Sequence, residues 1–585
     1  MKGTRTHNCG ELRAGHAGEE VVLMGWVHRM RDQGGIFFFD LRDRFGLTQV
    51  VFEPDGPVDL GEARELKREY VVAVAGKVRE RPEGLRNKNL PTGGVEVVAS
   101  ELRVLNRSET PPFVIEEEVD ATDEMRLTYR FLDLRREVMS RRIVQRSVAS
   151  QAVRRYLVDR GFLEIETPLL VRNSPEGARD YLVPSRVHPG KFYSLPQSPQ
   201  IYKQILMISG FDRYFQLAKC LRDEDLRADR QPEFTQIDIE ISFTTEAEVF
   251  RIMEGLMAAV WKETLGVDIP TPIPILNYHE AMERYGSDKP DVRFDLDLVN
   301  LDEAARASEF KAFHGVLEGK DGAVRGFVVS GGASFSRKEI DTLEELAKKH
   351  GAHGLAWTRV KGGGFDGGVG KFFDFEKLTG ALGAKEGDLV LMIAGPWKKA
   401  LTSLGAVRVE VGRRLDLAEK GAVRFLWVNK FPLFEWSEEE ERWEPAHHMF
   451  TMPFEEEAEF LASDPGKVHG HLYDMVLNGV EIASGSIRNH DPEVQRQIME
   501  VVGIKGEDQD RRFGFLLNSL KFGAPPHGGI AFGWDRIVQI LTGGESIRDV
   551  IAFPKTMSGL SLMDGCPSDV DPALLDDLGL QMKKK

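Results

Sequence analysis

The stretch Phe215–Gln236 restricts the fold more than any other part of the chain. It sets a charged segment, Arg222-Asp223-Glu224-Asp225-Leu226-Arg227-Ala228-Asp229-Arg230, between two strand-like runs. Two strands joined by a polar connection predict a hairpin, and a solvated hairpin loop is the plainest reading. The residue types add something. Arg222 and Glu224 share a face if the strand continues, placing a cation and an acceptor side by side. A guanidinium fork suits phosphate oxygens. Phe234, on the return run, offers a stacking surface for a base.

Two further blocks belong with this one. Gly528-Gly529-Ile530-Ala531-Phe532-Gly533-Trp534-Asp535-Arg536 combines glycines, which let a backbone approach a ligand, with an arginine at a helix start. Gly161-Phe162-Leu163-Glu164-Ile165-Glu166-Thr167-Pro168 follows an amphipathic pattern of Val144, Val148, Val153, Tyr156 and Leu157, and alone reads as a helix–strand corner. Weaker matches fall away. Gly362–Gly367 fits G-x-G-x-x-G inside a glycine tract with no helix opening, so it reads as a loop. Gly370-Lys371 is flanked by Phe where a P-loop needs other residues. His279-Glu280 lacks the second histidine of a zinc protease, since position 283 is Glu.

Around these blocks the chain changes texture. Before residue 105, Val21–Val27, Ile36–Leu41, Thr48–Phe52, Tyr70–Val78 and Val95–Val98 are five short β-rich runs, which predicts a small barrel or sandwich. Residues 106–135, with Pro111-Pro112 and an acidic stretch, read as a hinge. Residues 286–420 are glycine-rich, lack the arginine motifs on either side, and read as an insertion. The last thirty or so residues read as an extension with a frayed basic tail, Lys583–Lys585. At 585 residues the chain has room for about three to five domains. Cys9, Cys220 and Cys566 are odd in number and far apart, which predicts reduced thiols and no structural zinc. The opening residues carry no apolar signal core, and no apolar run approaches membrane-spanning length, so a cytoplasmic protein with no membrane partner is expected. The net charge of −16, from 77 basic and 93 acidic residues, excludes a generic nucleic-acid coat but permits a local basic patch.

In this order, the three blocks resemble motifs 1, 2 and 3 of the class II aminoacyl-tRNA synthetases. Ser174–Arg186, Leu195-Pro196-Gln197-Ser198-Pro199-Gln200, Arg222–Gln236 and Tyr285–Asp291 are similar, nearly residue for residue, to the bacterial aspartyl-tRNA synthetase family. The resemblance covers essentially the whole chain, insertion included. It implies an α+β multidomain fold: an OB-fold anticodon-binding domain over 1–105, a hinge over 106–135, and a catalytic domain of antiparallel sheet flanked by helices over 136–285 and 421–555. It further implies an inserted α/β domain over 286–420, like one shared with a bacterial amidotransferase subunit, and a C-terminal extension over 556–585. The implied activity joins L-aspartate to ATP as aspartyl-adenylate and passes it to the 3′ end of tRNA(Asp). The implied assembly is a homodimer built on motif 1.

The resemblance carries residues over as follows. Aspartate falls to Glu176, Ser198, Gln200, Lys203, Arg222, Asp238, His447, His448 and Arg488, with Lys203 and Arg488 holding the side-chain carboxylate. ATP falls to Arg222, Asp223, Glu224, Gln231, Phe234, Glu481, Gly533, Trp534, Asp535 and Arg536. Mg2+ falls to Asp474 and Glu481. Anticodon bases fall to Arg31, Phe38 and Gln49; alternation already turns Phe38 away from Phe37 and Phe39, and stacking on aromatics is how single-stranded RNA is read. Arg126, Arg130, Arg135, Arg136, Arg141 and Arg142 are expected to contact the tRNA backbone or to form a salt-bridged surface.

Some positions depart from the family pattern. Trp534 replaces a smaller aliphatic, Ala483-Ser484 replaces glycines, and Met449 replaces a proline; each bears on pocket shape, and Ser484 brings a hydroxyl toward ATP. Gln33 and Gly84 stand where members restricted to tRNA(Asp) carry Leu and a bulkier or charged residue. Both lean toward relaxed charging of tRNA(Asn) as well, which requires an amidotransferase partner; the alternative is a strictly tRNA(Asp)-specific enzyme. A non-catalytic RNA-binding relative is opposed by the intact Arg222, Glu481, Arg488 and Arg536. A lysyl or asparaginyl enzyme is opposed by the insertion and by the cationic pair.

Overall fold

A computed structural model describes residues 3–173, 178–226 and 229–583. The chain divides into two compact units. The first holds residues up to Val144 together with Ile551–Thr556 and Leu560–Ser568; the second holds the rest.

In the first unit, strands Glu20–Gln33, Ile36–Asp43, Gly46–Phe52, Val71–Glu80 and Val95–Asn106 close into a five-stranded barrel. Each of the five runs expected from the sequence is a strand. Alternation fills the interior: Phe37 and Phe39 are buried, with Phe39 stacked on Phe52, while Phe38 between them is half-buried on the outer face. Gly34 and Gly35, both with positive φ, make the two-residue turn that pairs Gln33 with Ile36.

The hinge reading needs correction over its second half. Helices Asp123–Thr128 and Arg130–Asp133 occupy it. Asp133 is fully buried and receives Arg126, Arg130 and Arg136 at 3.1, 2.6 and 2.8 Å. Three of the arginines expected to reach RNA thus hold the local fold together. A sequence shows their charge but not the single buried acid that collects it. Arg135 is likewise committed, donating to Glu69 at 2.9 Å over the Trp26 ring.

In the second unit an eight-stranded sheet runs in the order Ile275–Asn277, Phe425–Asn429, Leu472–Leu477, Val480–Arg488, His527–Gly533, Glu233–Ser242, Arg213–Leu221, Leu163–Glu164. Its central pairings are antiparallel, and only its two edge pairings are parallel. Both faces of Phe425–Asn429 are buried, so it reads as a continuous apolar run. Phe425 and Trp427 enter a core with Met257 and Trp261, whereas Leu426 and Val428 enter a second core with the insertion. The insertion itself builds a five-stranded sheet and lays the helix Trp397–Arg414 against it. The glycine tract expected to be a loop over Gly362–Gly367 is a loop only in part: Gly362-Gly363 make a hairpin turn, and Gly364–Asp366 form a short strand paired with Ala356–Lys361.

The helix Glu137–Val158 corrects the amphipathic pattern read from the sequence. Ala149, Ala152, Val153 and Leu157 are fully buried, but Val144 and Val148 are 43% and 41% exposed. Among the described residues, no helix is long and apolar enough to cross a membrane.

Candidate active site

The strand Glu233–Ser242 sorts its side chains by parity. Ile237, Ile239 and Ile241 enter the core, and Asp238 and Glu240 take the opposite face. Two cations meet these acids. Lys203, from the helix Gln200–Ile208, lies 2.6 Å from Asp238 and 3.3 Å from Glu240. Arg488, at the end of Val480–Arg488, donates to both oxygens of Glu240 at 2.9 and 3.2 Å. All four side chains are at most 1% exposed. Charges this deep persist only when paired. The neighbouring Gly529 is required by this arrangement, because a Cβ there would lie 1.9 Å from the Glu240 carboxylate.

Protonation follows from the packing. Burial pushes Glu240 up, but Arg488 and Lys203 outweigh it and hold the carboxyl below its usual range. Burial wins at Asp238 and raises it, with Lys203 only partly offsetting. His448 Nε2 lies 2.6 Å from Arg488 Nη1. Although part of its surface is open, its ring is enclosed enough, and close enough to Arg488 and His447, to sit well below the usual histidine range. His448 is therefore the neutral acceptor for Arg488. Ser486 Oγ accepts from the same nitrogen at 2.8 Å.

The residues expected to meet the nucleotide lie on three further segments. The strand Arg213–Leu221 ends before Arg222, so the loop rather than a continued strand places Arg222 and Glu224. The Arg222 guanidinium lies 5.1 Å from the centre of the Phe234 ring. Glu224 is paired with Arg230 at 2.9 Å, and Asp223 is bridged through its backbone to Arg179. Gln231 is buried beside them in sequence. Arg536 donates to the Glu481 carbonyl at 2.6 Å and reaches Asp229 at 3.3 Å. Two residues expected to meet the nucleotide turn their side chains elsewhere. Trp534 is 1% exposed in the hydrophobic core and donates to Ser150 Oγ, and buried Asp535 accepts from the Thr235 amide and pairs with Arg146. Both brace the helix Trp534–Thr542 from behind and leave Gly533 and Arg536 at its open end. Met449 also packs in a core cluster.

Asp474 and Glu481 lie on adjacent strands of one hairpin. Burial pushes the Asp474 carboxyl up to about 7, with His447 pulling it down and Glu481 adding to the rise. Among the described residues its Oδ1 has no hydrogen-bond partner, with His447 Nδ1 3.7 Å away. Ser484 donates to or accepts from His447 Nδ1 at 2.9 Å, so its hydroxyl is tied to this histidine. Among the described residues no three metal-type side chains converge. A pair with one orphaned carboxylate oxygen fits Mg2+, which takes few protein carboxylates and fills its shell with phosphate and water.

Among the described residues, other expected site atoms also lack partners: Gln200 Nε2, Asp238 Oδ2 and Arg222 Nε are buried without hydrogen bonds. Such atoms are costly unless a ligand completes them. Ser198 Oγ accepts from the Gln200 amide at 3.3 Å. Glu176 lies outside the described residues.

On the barrel, Arg31 donates to Gln49 at 2.7 Å, and Gln49 donates to Glu96 at 2.9 Å. Arg31 also pairs across the strands with Phe38, so all three expected base-contacting residues share one patch. Gln33 and Gly84 are exposed, and a Cβ on Gly84 would meet nothing within 4 Å. Sequence reasoning missed Glu240 and Ser486. The acids between isoleucines in Ile237-Asp238-Ile239-Glu240-Ile241 are the signal that finds Glu240.

Comparison with known proteins agrees with this geometry. Residues 122–557 match the family described as "tRNA synthetases class II (D, K and N)", and residues 21–105 match the "OB-fold nucleic acid binding domain". The chain is 51% identical over 581 residues to the aspartate–tRNA(Asp/Asn) ligase of Geotalea uraniireducens, covering 99% of this chain and 98% of the relative. It is 50% identical over 583 residues to the aspartate–tRNA ligase of Macrococcus caseolyticus, covering 99% and 98%. Among solved structures, asparaginyl-tRNA synthetase from Pyrococcus horikoshii bound to asparaginyl-adenylate shares the fold, with a TM-score of 0.60, 20% identity and coverage of 94% and 98%. Sequence, fold and the full-length relatives converge: the chain belongs to the class II tRNA synthetases, in the family of the aspartate–tRNA ligases.

Proposed function

We propose that the chain activates L-aspartate with ATP and transfers it to tRNA(Asp), and to tRNA(Asn) as well. The buried quartet of Lys203, Asp238, Glu240 and Arg488 carries the reading. Aspartate brings one ammonium and two carboxylates. The free Oδ2 of Asp238 suits the ammonium, and Lys203 and Arg488 suit the side-chain carboxylate. Lys203 and Arg488 already carry Asp238 and Glu240, and an asparagine amide brings them no further negative charge, which sets it apart from aspartate in a site built for a carboxylate.

In the first step an α-carboxylate oxygen attacks the α-phosphorus and the bond to the bridging oxygen breaks, releasing pyrophosphate. Arg222 holds the α-phosphate and Phe234 stacks on the adenine, with Gln231, Glu224 and Asp223 around it and Gly533 and Arg536 facing the nucleotide. Positioning and charge neutralisation carry such a step. Asp474 and Glu481 would hold Mg2+, which neutralises phosphate charge when bound. In the second step the terminal ribose hydroxyl of the tRNA attacks the aspartyl carbonyl and AMP leaves. Glu176, Ser198, Gln200, His447 and His448 complete the aspartate pocket.

Residues 1–105 read the anticodon through Arg31, Phe38 and Gln49, and residues 286–420 are an insertion in the catalytic domain. The enzyme is a cytoplasmic homodimer. Exposed Gln33 and Gly84 support the wider tRNA range, as do relatives named for both tRNAs; the Asp-tRNA(Asn) formed then needs an amidotransferase.

Aspartate-dependent pyrophosphate exchange, followed by charging of tRNA(Asp) and tRNA(Asn) side by side, tests this. Exchange with aspartate but not asparagine or lysine, and charging of both tRNAs, is expected. Gln33→Leu combined with Gly84→Lys is expected to suppress charging of tRNA(Asn) alone. Exchange driven by asparagine overturns the aspartate reading, and charging of tRNA(Asp) alone overturns the wider range.

A further inference from the structure

The loop between the helix Tyr278–Tyr285 and the inserted sheet is clasped from two sides. On one side stands the insertion's helix Trp397–Arg414. Arg408, 1% exposed, donates to the carbonyls of Leu296, Asp291 and Phe294 at 3.0, 3.1 and 2.9 Å, between the rings of Tyr285 and Phe294. Leu296 has φ of 110°, a conformation a leucine takes only under constraint, and its carbonyl is one of those Arg408 holds. Gly286 and Gly405 touch backbone to backbone; a Cβ on Gly405 would lie 2.4 Å from the Gly286 oxygen. On the other side stands the turn of the hairpin that bears Asp474 and Glu481. A Cβ on Gly479 of that turn would meet Asp291 at 2.9 Å.

Held this way, the loop projects one cation at the nucleotide side of the site. Lys289 Nζ lies 3.8 Å from the Glu481 carboxylate and 4.0 Å from Asp288. Arg536 donates to the carbonyl of the same Glu481. Two cations from distant parts of the chain therefore flank one residue. The Lys289 side chain is 48% exposed and its acidic contacts are long, so a polyphosphate arriving beside Glu481 is the stronger partner.

We propose that Lys289 is a catalytic residue that binds the β- and γ-phosphates of ATP, and that the inserted domain positions it through Arg408 and the Gly286–Gly405 contact. The proposal rests on the aspartate-activation reading. As the α-carboxylate oxygen bonds to the α-phosphorus, the electron pair of the breaking P–O bond leaves on pyrophosphate; Lys289 meets that developing charge without giving up a proton. In the reverse direction the same ammonium captures pyrophosphate.

Pyrophosphate exchange on the full-length enzyme separates the outcomes. Lys289→Ala, a surface change, is expected to raise the KM for pyrophosphate and for ATP about tenfold while the aspartate KM moves less than about twofold. Lys289→Arg is expected to restore most of the loss. Gly405→Ala, which drives a methyl into the Gly286 backbone, is expected to shift the pyrophosphate KM the same way and to lower the melting temperature. Arg408→Lys serves as a harsher version. A lysine that merely props Glu481 predicts instead that aspartate and pyrophosphate KM rise together and that arginine fails to rescue. Unchanged pyrophosphate KM in Lys289→Ala, with the wild type exchanging normally, overturns the Lys289 assignment and leaves the aspartate reading standing. A wild type without aspartate-dependent exchange overturns both.

Discussion

Arg488 makes four contacts from one guanidinium: two to Glu240, one to neutral His448 and one to Ser486. No other side chain combines that fork with a fixed charge. Arg488→Lys keeps the charge but supplies a point donor on a shorter reach. Glu240 then loses one of its two bonds, and His448 loses its donor. The expected result is a fall in kcat/KM for aspartate of about 100-fold, or ~3 kcal/mol, with the ATP KM little changed. Steady-state exchange kinetics checks it; a loss shared equally between aspartate and ATP contradicts the assigned role. At this scale the recognisable motifs named Lys203 and Arg488 together, and the structure brings both onto Glu240. The sequence was unreadable where a role depends on which way a side chain turns. Trp534 and Asp535 sit inside the third motif yet face the core. Glu240, two residues beyond Asp238, sits outside the expected set yet pairs with both buried cations, Lys203 and Arg488.

Elements were legible in proportion to their periodicity. The barrel strands repeat every two residues and all five were found, although Glu20–Gln33 and Val95–Asn106 run six and eight residues past the expected ends; the same alternation separated Phe38 from its buried neighbours. The region after the barrel has no such period; its order comes from Asp133 collecting three arginines, a long-range electrostatic event that spacing does not encode. A related network on the barrel leads to a pH prediction. His28, on the strand Glu20–Gln33, accepts from Arg42 at 3.1 Å through Nδ1, and Arg42 is clamped on Glu69. Burial, then Arg42 and Arg29, push His28 down to about 4, against the weaker pull of Glu69 and Glu116. Its folded pKa lies below the unfolded value of 6.5, so between these limits the unfolded chain binds more protons. The stability His28 contributes is present above pH 6.5 and is lost as pH falls toward 4. Amide exchange of the barrel strands in the full chain, compared at equal pH with His28→Gln, is expected to show wild-type protection falling relative to the variant across that window. A difference that stays constant from pH 7 to 4 refutes the assignment.

For the molecule as a whole, the telling feature is an unfinished surface. The eight-stranded sheet ends at Leu163–Glu164, a two-residue strand paired on one side only. Around it in sequence, Val148, Val158, Leu163, Leu169 and Leu170 are 41%, 56%, 48%, 53% and 52% exposed. Scattered apolar side chains need no explanation, but five along one short segment beside an open sheet edge do. Periodicity assigned part of this helix to the interior of a single chain; the structure shows that its apolar residues serve two directions, Ala149, Ala152, Val153 and Leu157 inward and Val148 outward. A second copy of the chain meeting this segment across a twofold axis covers the same residues on both partners, the economical solution for an isologous contact. Sedimentation equilibrium is therefore expected to give twice the chain mass of 65.7 kDa at micromolar concentration. Leu169→Glu with Leu170→Glu places two like charges opposite their symmetry mates and is expected to shift the protein to the single-chain mass while its far-UV circular dichroism is retained. A wild type that sediments at the single-chain mass at these concentrations removes the dimer, and the exposed segment then needs a different partner.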